Sequence, residues 1–149
     1  MTFEPSTMVS FGEMGCAFFT FSGTPVLNSP LTPTLVGSSS TFTPTISSND
    51  IQLPAGEYIL RFYGAITRTA AGENIVYQWR EVGGSLIGVK GATNRELAPG
   101  TYVESIDAAD ARLELTSAGS VQLELTLVDT GVTINTADSH AVIWRVPLS

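Results

Sequence analysis

The sequence predicts an all-β chain, an antiparallel β-sandwich of the jelly-roll kind with an extended N-terminal arm, and three observations predict it. Val, Ile and Thr make up about a quarter of the 149 residues, beside 14 Gly and 8 Pro, a mixture that suits pleated surfaces and tight turns and breaks helices. Short segments of apolar and polar alternation recur, separated by turn residues at about ten-residue spacing, which is the grammar of sandwiches and jelly rolls. Long runs of Ala, Glu, Lys and Leu at helical spacing are absent. At this length a single folded domain with a substantial core is expected.

The elements follow in order. Residues 1–45 read as an arm of extended edge strands and loops. Before Asp50 the only charged side chains are Glu4 and Glu13, and Pro5, Pro25, Pro30, Pro33 and Pro44 punctuate the stretch. Its aromatics (Phe3, Phe11, Phe18, Phe19, Phe21 and Phe42) are too many for a disordered linker. The arm is therefore expected to lie on something, either the same domain or a neighbouring subunit. The domain proper is expected over 46–149. Its first strong strand, 58–66, is apolar on both faces, with Tyr58, Leu60 and Phe62 on one and Ile59, Tyr63 and Ala65 on the other. Such a strand is either central in a sandwich or packed against another chain. Further strands are expected at 75–82, 86–89, 113–116, 121–127 and 141–146, with Gly83-Gly84 and Ser117–Ser120 as turns and Pro147 as the stop. Ile106 to Asp110 could form a helical turn. Leu53-Pro54-Ala55-Gly56-Glu57-Tyr58 and Leu97-Ala98-Pro99-Gly100-Thr101-Tyr102 read as one turn used twice, Pro presetting φ and Gly relieving the strain.

Charge and composition exclude several functions. A formal net charge of −7 with 7 basic residues disfavours nucleic-acid binding, which needs clustered Lys and Arg. One cysteine, Cys16, excludes an intrachain disulfide framework and a cysteine-rich metal site. No apolar run approaches the roughly 18 residues of a membrane-spanning helix, and Met1 to Pro5 lacks the basic start of a secretory signal. A soluble protein made inside the cell, with no membrane partner, is the expectation.

Residues that could carry chemistry form no catalytic pattern. Asp138-Ser139-His140 sets triad residue types side by side, but neighbours on a strand face opposite ways and no Gly-x-Ser-x-Gly elbow is present. Glu104, Asp107, Asp110 and Glu114 could offer hard oxygen ligands to a divalent cation, yet their spacing matches no EF-hand loop and a solvated acidic face serves equally well. No P-loop and no Gly-x-Gly-x-x-Gly occurs. Trp79, Trp144, Tyr58 and Tyr102 are expected in the core or at a subunit contact rather than on a sugar or base. Cys16, with no basic neighbour, is expected to be a small buried hydrophobe. Neither an enzyme nor a cofactor is expected.

The segment Ile51-Gln52-Leu53-Pro54-Ala55-Gly56-Glu57-Tyr58-Ile59-Leu60 resembles the Pro-x-Gly-x-Tyr turn and central strand of C1q/TNF-like jelly rolls, and the order of 111–115, 119–125 and 141–146 fits that pattern over residues 40–149. The N-terminal Phe11-Gly12-Glu13-Met14 and the Thr/Pro-rich stretch after it resemble bacteriophage virion proteins, among them capsid decoration (cement) proteins and tail-fibre modules. The resemblance implies a homotrimer on the capsid surface, made in the host cytoplasm, that clamps neighbouring major capsid subunits without catalysis. Tyr58, Phe62, Tyr102 and Trp144 are the expected trimer contacts, and Phe3, Phe11, Phe18, Phe19 and Phe21 the expected capsid contacts. The alternative it implies is a tail-fibre or receptor-binding module whose loops hold a host surface glycan; a carbohydrate-active enzyme is a third reading.

Overall fold

The computed structural model describes residues 14–70, 74–93, 100–102 and 105–147. Among them the chain forms fourteen strands and no helix: β1 Gly15–Ser22, β2 Thr32–Ser38, β3 Thr45–Ser47, β4 Asp50–Leu53, β5 Gly56–Tyr63, β6 Ile66–Arg68, β7 Ile75–Glu81, β8 Leu86–Thr93, β9 Gly100–Tyr102, β10 Ser105–Asp107, β11 Ala109–Leu115, β12 Gly119–Val128, β13 Thr133–Ile134 and β14 His140–Val146. Eleven of them form one antiparallel array. One half runs β2-β1-β14-β5-β11, and the other β8-β7-β12-β4-β3, with β10 also on β8. The remaining three, β13-β6-β9, make a small separate sheet.

Among the described residues, the ladder passes from one half to the other at one strand pair, Asp110 of β11 against Val89 of β8. Gly88 makes that crossing possible. Its φ is +70°, and a Cβ there would run into the Asp110 carbonyl oxygen and Ala111. The array doubles over at this point, and the two halves pack face to face. Phe19, Phe21, Leu60, Phe62, Leu113 and Ile143 from the first half meet Ile51, Leu53, Tyr77, Trp79, Leu123 and Leu125 from the second. Phe21 stands edge-on to Phe62 and Trp79, with centroids 5.1 and 6.3 Å apart, and Phe62 edge-on to Tyr77 at 4.7 Å. The Trp79 Nε1–H donates to the Ala109 carbonyl across the layers at 3.0 Å, so the indole is buried with its polar atom satisfied.

The Pro54–Tyr58 turn works as its residues imply. Tyr58 is wholly buried, and its hydroxyl donates to the Pro54 carbonyl at 2.7 Å, closing the turn. A Cβ on Gly56 would stand 3.0 Å from Arg145 Nε and 3.3 Å from the Tyr58 hydroxyl, which is why a glycine leads the strand. Of the second copy of this turn, residues 97–99 lie outside the described residues, and Gly100–Tyr102 forms β9 on β6.

Two expectations change here. From Gly15 onward the N-terminal arm is part of the sandwich. β1 lies between β2 and β14, and Phe19 and Phe21 are 1% exposed. The segment after β1 is stitched to β12 by Asn28 N–H to Leu125 O at 2.8 Å and Leu31 N–H to Leu123 O at 3.0 Å, carrying the chain from one half to the other. The stretch is poor in charge because its alternate residues are core. Phe19 and Phe21 are therefore not capsid contacts, since neither retains surface; Phe3 and Phe11 lie outside the described residues. Secondly, Ile106 to Asp110 is not a helical turn. Ser105–Asp107 pairs with β8, and Ala109–Leu115 pairs with β5 along its whole length, because Ala109, Ala111, Leu113 and Leu115 alternate inward at the strand period.

Candidate functional site

The outward face of the first half is the surface that departs most from a solvated sheet. The inward residues of β1, β14 and β5 are Ala17, Phe19 and Phe21, Ala141 and Ile143, and Tyr58, Leu60 and Phe62. The intervening residues must point the other way, and the register aligns them in rows. Cys16, Trp144, Ile59 and Arg112 form one row, and Phe18, Val142, Arg61 and Asp110 the next. Thr20, His140 and Tyr63 form a third. Phe18 is 48% exposed, Ile59 40% and Met14, just before β1, 46%. Cys16, Trp144, Val142 and Tyr63 are half-buried. Large apolar side chains thus lie side by side across three neighbouring strands.

Ion pairs border this field along β11. The Arg61 guanidinium grips the Asp110 carboxylate through two bonds, Nε to Oδ1 at 2.7 Å and Nη2 to Oδ2 at 3.0 Å, and Arg112 pairs with Glu57. The hydrogen bond to Asp110, with its negative charge, raises the Arg61 pKa above its ordinary value. At the far end the His140 ring lies against Tyr63, centroids 5.5 Å apart, with Nδ1 3.1 Å from the Asp138 carbonyl oxygen.

The sequence-predicted site residues divide. Trp144 faces outward into the apolar rows. Tyr58 and Phe62 do not belong there: both are 0% exposed, and a side chain with no surface in one chain has none to offer a second. They are inward neighbours of the outward Ile59. The side chain of Tyr102 lies outside the described set. Phe18, expected to touch a capsid as part of an arm, instead sits in the middle of this sheet face. Cys16, expected in the core, is half-buried in the same face beside Trp144.

The remaining candidates are occupied structurally. Ser139 is buried and holds the Ala65 backbone, accepting from its N–H at 2.9 Å and donating to its carbonyl at 3.0 Å. Asp138 accepts from the Asn135 amide at 2.8 Å, so Asp138, Ser139 and His140 turn to three different partners. Asp110 is bound to Arg61, Glu114 lies on the same strand opposite Glu57, and the side chains of Glu104 and Asp107 are outside the described set. Trp79 is core. Ile59 is the contributor that sequence reasoning passed over. Its signal was its position between Glu57 and Arg61, an apolar residue at an outward, otherwise charged period.

No protein-family model matches the sequence, and no curated protein matches it. Solved structures do match. The chain is similar to murine APRIL, with a TM-score of 0.59 at 5% identity over 89% of this chain and 99% of that one. It is similar to the Eiger TNF of S. frugiperda, at 0.58 and 13% identity over 91% and 93%. The globular domain of a zebrafish complement 1qA protein aligns at 0.54 and 11% identity over 92% and 98%. At such identities the likeness is one of architecture, and it agrees with the strand order and the Pro-x-Gly-x-Tyr turn: the chain has the C1q/TNF-like jelly-roll fold.

Proposed function

We propose that this protein is a self-trimerising, non-enzymatic binding module whose copies meet through the outward face of β1, β14 and β5. The observation that carries the reading is the contiguous row structure of Met14, Cys16, Phe18, Ile59, Val142 and Trp144, because exposed apolar patches of this kind mark contact surfaces. The resemblance to C1q/TNF-like jelly rolls supports a trimer as the closed assembly. At a finer grain, the trimer is a virion decoration protein that clamps neighbouring major capsid subunits. Its support is the resemblance of the N-terminal stretch to phage virion proteins, and many weak contacts repeated over a shell would serve that role.

The native mass of the full chain tests the first part. The expected value is three times the 15.8 kDa of one chain, with Cys16 protected from alkylation in the assembly and reactive after dilution below the dissociation point. A single-chain mass at high concentration overturns it. Co-sedimentation with capsids tests the second part. Removing residues 1–45 is the wrong deletion, since it strips β1, β2 and the core residues Phe19, Phe21 and Phe42. Removal of 1–13 keeps every described strand, and unchanged capsid occupancy after it would show that those residues do not hold the shell.

A further inference from the structure

We infer that the module carries a cleft for a neutral sugar unit, free or at the end of a glycan, on the sheet away from the proposed contact face. Thr45 of β3, Gln52 of β4 and Ser120 of β12 are register partners across three adjacent strands. Their strand neighbours Ile51, Leu53 and Val121 are core, so the three polar side chains stand outward in one row. Thr43, just before β3, adds another hydroxyl, and Pro54 and Ala118 complete the lining with exposed aliphatic surface. Together they enclose an open cleft of about 430 Å³, within the roughly 300–1,000 Å³ of small-molecule sites.

That lining selects a chemistry. Among the described residues around the cleft none is charged and none is aromatic, in a chain with 14 acidic and 7 basic side chains. A phosphate or carboxylate finds no cation there, and an amine or a metal ion finds no carboxylate. A nucleobase finds no ring to stack on. What the cleft offers is the hydroxyls of Thr43, Thr45 and Ser120, one amide, and the aliphatic surface of Pro54 and Ala118. Thr45 Oγ1 donates to Gln52 Oε1 at 2.8 Å, which fixes the amide and leaves its two N–H donors to turn away from Thr45. A pyranose ring matches this set: hydroxyls that donate and accept surround its rim, and C–H groups cover its faces. The cleft is complete within one chain, so it does not depend on how copies meet. Copies that meet through β1, β14 and β5 leave it open on the opposite sheet, where several weak sites add up to avidity for a surface displaying the sugar.

Amide chemical-shift titration of the isotopically labelled full chain tests this. The neutral probes are the methyl glycosides of glucose, galactose and N-acetylglucosamine; sialic acid, glucosamine and uridine are the contrasts. The expected result is a saturable shift at Thr45, Gln52 and Ser120 with a neutral glycoside, half-saturating on the order of 1 mM, and none with the contrasts. Ser120→Ala and Gln52→Leu are each expected to weaken that binding about fivefold, whereas Glu114→Gln, outside the cleft, leaves it unchanged. Retention on beads densely coated with the same sugar, reversed by the free glycoside, assigns the cleft to surface glycans; binding of the glycoside without retention assigns it to the free sugar. No saturable shift with any neutral glycoside, shifts confined to other residues, equal shifts with the contrasts, or unchanged binding by both cleft variants overturns the inference. A single-chain native mass overturns the trimer alone and leaves this site standing.

Discussion

The two sheets of the sandwich obey the same alternation and share one core, yet their outward faces differ in how much large apolar surface they gather. On the second sheet, beside the exposed Val82 and Val89, the outward positions of β7 and β12 carry polar groups that are already paired. Gln122 donates to Asp50 at 2.5 Å, and Arg80 grips Glu124 through Nε at 2.5 Å and Nη2 at 3.1 Å while its Nη1 donates to the Gly84 carbonyl at 2.8 Å. Gln78 donates to the Gly88 carbonyl at 2.9 Å. Those polar groups are satisfied within one chain, as expected for an antiparallel sheet with one side in water. On the first sheet the outward positions of β1 and β14 include Phe18, Val142 and Trp144, with Phe18 beside Val142 and Trp144 beside Ile59 of β5, before the charged Arg61 and Arg112 follow. The difference teaches that the inward pattern sets the fold, whereas the outward pattern records what the sheet is built to touch.

Neighbouring residues on β1 give the sharpest way to break the comparison. Phe19 is core and Phe18 is outward. Phe19→Ala is expected to destabilise the folded chain by about 3–5 kcal/mol, the usual cost of emptying a packed aromatic site. Phe18→Ala is expected to cost the isolated chain under about 1 kcal/mol while weakening self-association. Urea unfolding at a concentration below assembly separates the two effects. Similar unfolding costs for both would place Phe18 in the core and remove it from the contact face.

A charge placed on either face sharpens the same contrast. Ile59→Asp replaces an apolar side chain beside Trp144 with a carboxylate on the proposed contact face, and association is expected to fall by about a hundredfold. Gln52→Asp, at an exposed position of β4 on the other sheet, is expected to leave the native mass unchanged. Light scattering across a dilution series reads both, and equal losses would mean that the two faces do not differ in function.

The junction between the sheets is the next test. Gly88→Ala adds a Cβ against the Asp110 carbonyl at a left-handed backbone position, with an expected cost of about 2–3 kcal/mol. Because the Asp110–Val89 pair is the strand pairing at which β11 meets β8, the substitution is expected to bring forward hydrogen exchange at β8 and β11 before β1 and β14. Uniform exchange across all four strands would contradict that local role.

Strand positions and the turn at Pro54 were legible because they depend on periods of two residues and on the φ preferences of Pro and Gly, which are local. The contact face was legible only in part. Trp144 is outward, but Tyr58 and Phe62 could not be told from it, because an aromatic residue on a strand looks the same whether it fills a core or a contact. What decides is register: Cys16 beside Trp144 beside Ile59 joins three segments about 40 to 130 residues apart in sequence, and no local signal specifies such pairings. The arm was legible as strands lying on a surface, and β2 is an edge strand, but no local signal says whether that surface is the same domain or a neighbour. Phe19 and Phe21 decide for the same domain, because they point inward into the core.

Tyr58 and Ile59 carry the comparison to its smallest scale, two consecutive residues facing the core and the outside. Burial, partly offset by the nearby Arg145 charge, pushes the Tyr58 phenol above its ordinary pKa of 10.0. A folded-state value above the unfolded one means that the stabilisation is fully present below pH 10 and is lost as pH rises through the folded value. Tyr58→Phe keeps the ring, removes the hydrogen bond to the Pro54 carbonyl, and is expected to cost about 1 kcal/mol at pH 8. Above pH 10 that gap is expected to narrow, because the wild-type hydroxyl is then driven to ionise in a site that favours the neutral form, while the variant has nothing to ionise there. Denaturant midpoints for both chains at pH 8 and pH 10.5 check this. A gap that stays constant would mean that the hydroxyl is solvated rather than bound to the turn, and the signature turn would then owe its shape to Pro54 and Gly56 alone. Ile59→Ala, one residue on, is expected to leave this alkaline behaviour untouched while weakening association, since its side chain belongs to the other side of the sheet.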